Sequence, residues 1–175
     1  MAKIPGFHII VTKDAGTKQW MMEIGRAIVF FGVLERLMLD WAAQLRGDKR
    51  LLVKYHNADI KRIAPLLRRG VLRWKHALPR QIVVEALESI KRAEGLSGSR
   101  NDVAHSRVEF GLTNTGGQVP IGLLIARRPR QGRRVFALRR LEWLTDFVQQ
   151  TKQTTKDVQN AMEAVANARV SKDRT

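Results

Sequence analysis

Between Lys18 and Arg46, Ile24, Ile28, Phe31, Leu34, Met38, Trp41 and Leu45 recur every three or four residues. That spacing lays one apolar stripe along a helix. Ala27, Phe30 and Leu37 widen the stripe, Asp14 or Thr17 suits its start, and Gly47 suits its end. A second helix is predicted over Asn57–Ala77 from Ile60, Ile63, Leu67, Val71 and Trp74. Pro65 either kinks it or marks its true start, and Gly70 weakens it. Pro79 opens a third, with Ile82, Val83, Ala86, Leu87 and Ile90 apolar and a stop near Gly95. In the stretch that follows, Ser99 with Asp102 three positions later fits a reciprocal helix start, which puts Arg100 at the first helical position.

The period then changes. Val108, Phe110 and Leu112 alternate with polar or small residues, Asn114–Gly117 reads as a turn, and Val119–Ala126 and Val135–Leu138 are further strand-like runs. From Arg140 a long helix resumes. Leu141, Leu144, Val148, Thr151, Thr155, Val158, Met162 and Val165 form a seam with a polar centre. Packing of that seam within its own bundle is favoured over packing against another chain. The predicted fold is mostly α. It is a single domain over 1–175, a bundle of four to five helices with a small antiparallel β insertion at about 107–138.

Composition changes the picture through charge. Of 175 residues, 32 are Lys or Arg and 16 are Asp or Glu, for a net charge of +16. The surplus sits in the middle: residues 48–95 and 96–140 each carry +7, whereas 141–175 is neutral. Such a balance points to an anionic partner, nucleic acid before a membrane surface. The densest cluster, Arg127, Arg128, Arg130, Arg133 and Arg134, surrounds Pro129 and Gly132 at a hairpin tip. Guanidinium groups there suit bidentate phosphate contact, although a solvated tip is the plain alternative. There is no cysteine, which excludes disulfides, a thiolate zinc site and a cysteine nucleophile. No apolar run approaches membrane-spanning or signal-peptide length, so a cytoplasmic protein with no membrane partner is expected. The four histidines form no metal-ligand pattern, and no phosphate-binding Gly-Lys-Ser/Thr loop or nucleophile elbow occurs. Neither a metal nor a cofactor is expected.

What remains is the stretch Ser99–Ser106, with Arg100, Asn101 and His105. An imidazole transfers protons near neutral pH, and a guanidinium holds the negative charge of a phosphorane without giving up a proton. On a helix Asn101 and His105 share a face, and the amides of a helix start would add to anion binding. Three Arg–His pairs have gaps of four to six residues: Arg50–His56, Arg69–His76 and Arg100–His105. Only Arg100 is followed by a polar residue. This pattern resembles the HEPN family, small helical bundles that include metal-independent ribonucleases whose signature is an Arg, a following polar residue and a His four to six residues on.

The resemblance implies a metal-independent endoribonuclease acting on RNA, with catalytic Arg100, Asn101 and His105. It implies a homodimer in which two motifs share one cleft, and a toxin or defence role with a neutralising antitoxin partner. The β insertion lies outside that pattern. Two other readings stay open. One is a non-catalytic nucleic-acid-binding module and the other a protein-interaction bundle, with Arg100 paired to a bundle carboxylate such as Glu35 or Asp40 and His105 structural. His56 and His76 are expected to be exposed or to contact phosphate. Trp20, Trp41, Trp74 and Trp143 are read as core or half-buried residues rather than base-stacking platforms.

Overall fold

The computed structural model describes residues 15–105, 107–112, 118–127 and 135–172. Five helices and three strands follow in order: α1 (Ala15–Arg46), α2 (Arg50–Lys54), α3 (Ile60–Arg73), α4 (Arg80–Ala104), β1 (Arg107–Leu112), β2 (Gln118–Arg127), β3 (Val135–Arg139) and α5 (Leu141–Lys172). The fold is the expected helical bundle with a small antiparallel insertion.

Trp20, Ala27, Phe31, Leu34, Met38, Trp41 and Leu45 form the buried face of α1. Ile28, expected on that face, is 54% exposed. The helix ends where Gly47 turns to a φ of +65°. There its N–H donates to Gln44 O (3.2 Å) and Asp48 N–H to Ala43 O (3.1 Å), pairing carbonyls that the helix end leaves free. The second helix starts later than Asn57 because Asp59 caps it, accepting from the Arg62 N–H at 3.1 Å. Pro65 lies inside α3 rather than at its start.

The largest departure concerns α4. The chain does not break near Gly95; one helix of 25 residues runs to Ala104. A glycine inside a helix costs about 1 kcal/mol relative to alanine. Leu96, Ser97 and Val103 are buried beyond Gly95, and this burial of the last turns outweighs that local preference. Hence Ser99 and Asp102 do not cap a helix start, and Arg100 is not a first helical residue.

Helix α1 packs between α5 and α3, and α4 closes the ring between the same two. Phe31 and Phe147 stack at 6.2 Å across α1 and α5. The polar centre of the α5 seam is satisfied internally: Thr151 donates to Phe147 O and Thr155 to Thr151 O, each at 2.8 Å. Thr151 can therefore be fully buried within its own bundle at little cost. Ion pairs tie α3 to α4 (Arg68–Glu94) and α4 to α5 (Arg92–Asp157, 3.3 Å). Trp20 and Trp41 are core residues, and Trp74 and Trp143 are half-buried beneath the Arg169 and Arg139 guanidinium groups.

The strands form one antiparallel sheet with β2 central. A Cβ on Gly122 would meet Arg139 O and Leu138 Cδ1 at 2.7 Å, so the β2–β3 approach requires glycine there. Buried Leu123 belongs to the common core, and β2 rests on α1 and α4. No helix among the described residues is long and apolar enough to cross a membrane.

Candidate functional site

The Arg100–His105 motif occupies the last turn of α4. His105 is the residue that closes the helix, its N–H donating to Asn101 O at 3.1 Å. This reverses the expected electrostatics. Free carbonyls, not free amides, cluster at a helix C-terminus, so any anion bound here is held by side chains. Arg100 is half-buried and donates from Nη1 to Asn101 Oδ1 at 3.3 Å. That contact holds the guanidinium beside the Asn101 amide. His105 is exposed.

Arg100 and Asn101 line a cleft of about 410 Å³ between α1, the α2–α3 loop and the end of α4. Glu35, His56 and Asp59 line the same cleft. Burial pushes the Glu35 carboxyl above the usual carboxylate range; the Arg100 charge pulls it down, and Asp59 adds to the rise. Glu35 is thus the bundle carboxylate that faces Arg100. Asp40, the other candidate, is engaged by Arg36 at 3.0 Å. The Glu35 side chain is half-buried rather than freely solvated.

His56 is exposed, and its Nδ1 lies 2.9 Å from Val53 O. A carbonyl only accepts, so Nδ1 carries the proton and Nε2 is left to act. The sequence places His56 near Arg50, but folding brings it to the Arg100 cleft. His105 does not line that cleft, so one chain gathers Arg100, Asn101 and His56, with His105 outside.

A second, smaller recess of about 130 Å³ joins the motif to α1. It is lined by Ala27, Ile28, Arg100, Val103, Ala104 and Phe147. Ile28 also belongs to a run of exposed apolar residues on α1: Met21, Met22, Val29 and Val33 are each about half exposed or more. Gly25 and Gly32 lie between them with open space beside each. Among the described residues, the motif thus borders an apolar helix face that nothing covers.

Among the predicted phosphate-binding residues, Arg127 ends β2. Its side chain, and all of Arg128, Arg130, Arg133 and Arg134, lie outside the described residues, as does His8. His76 is exposed. Among the described residues no group of three or more His, Asp or Glu side chains is placed to hold a metal ion. Comparison with protein-family models, with curated proteins and with solved structures found no match. The family resemblance therefore rests on the motif residues alone.

Proposed function

We propose that the chain is a metal-independent endoribonuclease of HEPN type, active as a homodimer. The observation that carries this reading is the cleft in which Arg100 and Asn101 meet a titratable side chain from another element, beside an exposed His105. The apolar α1 face next to the motif supports the dimer, because exposed contiguous apolar surface marks a contact. A second copy there would bring a second motif alongside the first.

In the proposed reaction a ribose 2′-oxygen attacks the adjacent phosphorus, and the bond from phosphorus to the 5′-oxygen breaks. One imidazole takes the 2′-hydroxyl proton, and a second group protonates the departing oxygen. Arg100 holds the charge that builds on the phosphoryl oxygens. The products are a 2′,3′-cyclic phosphate and a 5′-hydroxyl. His56 of the same chain, its Nε2 free to accept, suits the first transfer, and His105 of either copy the second.

Purified protein in EDTA is expected to cut RNA to these ends. His105→Ala should lower the rate by about 10²–10⁴-fold, and Arg100→Ala by about 10²-fold or more, with circular dichroism unchanged. Full activity in either variant refutes the assignment. Salt-sensitive RNA binding with no cleavage in the wild type would instead support the non-catalytic binding module, and neither binding nor cleavage the interaction bundle.

A further inference from the structure

The loop Tyr55–Ala58, between α2 and α3, separates two cavities. One is the 410 Å³ cleft that holds Arg100. The other, of about 630 Å³, is lined by Lys54, Arg62, Pro65, Leu66 and Arg69. Tyr55, His56, Asn57 and Ala58 line both. The loop thus borders both recesses and carries the exposed His56 and Asn57 between them. It is built to hold its shape: Tyr55 N–H donates to Leu51 O and Ala58 N–H to Tyr55 O, each at 2.9 Å. The His56 ring is tied to Val53 O, and Asp59 caps α3 immediately beyond.

The larger cavity has no carboxylate in its lining, only the cations Lys54, Arg62 and Arg69. All three are exposed, and none forms an ion pair among the described residues. Arg62 and Arg69 are two turns apart on one face of α3, about 10 Å along the axis. Arg69 Nε donates to Pro65 O at 3.2 Å, which fixes the direction of its guanidinium. Beside these cations stands the half-buried Tyr55 ring, with Lys54 Nζ at 5.6 Å from its centre. Unpaired cations tracking a groove, with aromatic rings interleaved, are what a single strand requires: phosphates meet charge, and unstacked bases meet a ring.

We propose that the two cavities flanking Tyr55–Ala58 form one groove for single-stranded RNA. Lys54, Arg62 and Arg69 contact its phosphates, and Tyr55 and His56 support a base as the strand crosses to Arg100. The approach to Arg100 rests on the nuclease reading; the groove itself does not. Duplex RNA fits poorly, because its bases are stacked away from rings set in a recess.

The test is fluorescence anisotropy with the full chain and a labelled single strand of about ten nucleotides. Its riboses carry 2′-O-methyl groups, so it cannot be cut by 2′-oxygen attack. Replacing Lys54, Arg62 and Arg69 together by Gln should weaken binding at least tenfold. The slope of log affinity against log salt should fall by about 2, at about 0.7 per lost phosphate contact. Tyr55→Ala should weaken binding about tenfold without changing the slope. Unchanged affinity and slope in the triple variant overturn the groove, as does equal or tighter binding of a duplex through the same side chains. Cleavage is scored separately on unmodified RNA in EDTA. A wild type that cuts, with KM unchanged in the triple variant, keeps the nuclease and discards the groove. A wild type that does not cut but loses binding in the triple variant keeps the groove and discards the nuclease.

Discussion

Glu35 and Arg100 oppose each other across the cleft without forming an ion pair among the described residues. The Glu35 carboxyl lies above its ordinary value in the folded chain, chiefly through burial. Its charged form is therefore disfavoured by folding. The penalty is present at pH values above the folded value and is relieved as pH falls through it. Glu35→Gln should thus melt at or slightly above the wild-type temperature near neutral pH. Thermal melts from about pH 8 to about pH 4 should show the gap closing on the acid side. A variant that melts lower at neutral pH would mean that Arg100 depends on this carboxylate for its place. The motif itself was legible, because Arg100, Asn101 and His105 are close in sequence. Glu35 was legible only as one of two candidate carboxylates, and His56 was not legible as a neighbour at all. No local spacing reports which elements tertiary packing will close around a cleft, and the pair Arg50–His56 looked like a coincidence of spacing.

At the level of elements, the apolar periodicities located α1, α3 and α5, and the alternation located all three strands. The misreading of α4 came from local signals, Gly95 and a capping pattern at Ser99 and Asp102, being set against burial that lies further along. Leu96 and Val103 belong to the same core as Ala86 and Ile90, so one uninterrupted helix buries more than two broken ones. This has a measurable consequence. Gly95 and Gly98 are exposed, with nothing within 4 Å of an added Cβ. Alanine at both should stabilise the fold by about 1–2 kcal/mol, raising Tm by roughly 2–8 °C. A fall in Tm would mean that the chain bends there. The five-residue α2 escaped notice because it is too short to show a period.

On the scale of the molecule, basic character and apolar exposure fall on different faces of the same site. Lys54 at the end of α2 and Arg62 and Arg69 on α3 carry the cations, and α1 carries Met21, Met22, Ile28, Val29 and Val33. In the proposed dimer the α1 faces meet and the loops stay open to RNA. Val29→Asp places a charge in that contact while disturbing no core residue, as Val29 is 62% exposed. Sedimentation should then report a monomer with unchanged helicity, and cleavage should fall at least tenfold; a burden of one unpaired buried charge suffices for this. A dimer that persists would place the contact elsewhere.

A single residue separates His105 from β1, and the sheet is moored to the bundle where Leu123 sinks between α1 and α4. The hairpin is therefore the second anchor of the imidazole: helix α4 fixes one side of its backbone, and the berth of the sheet fixes the other.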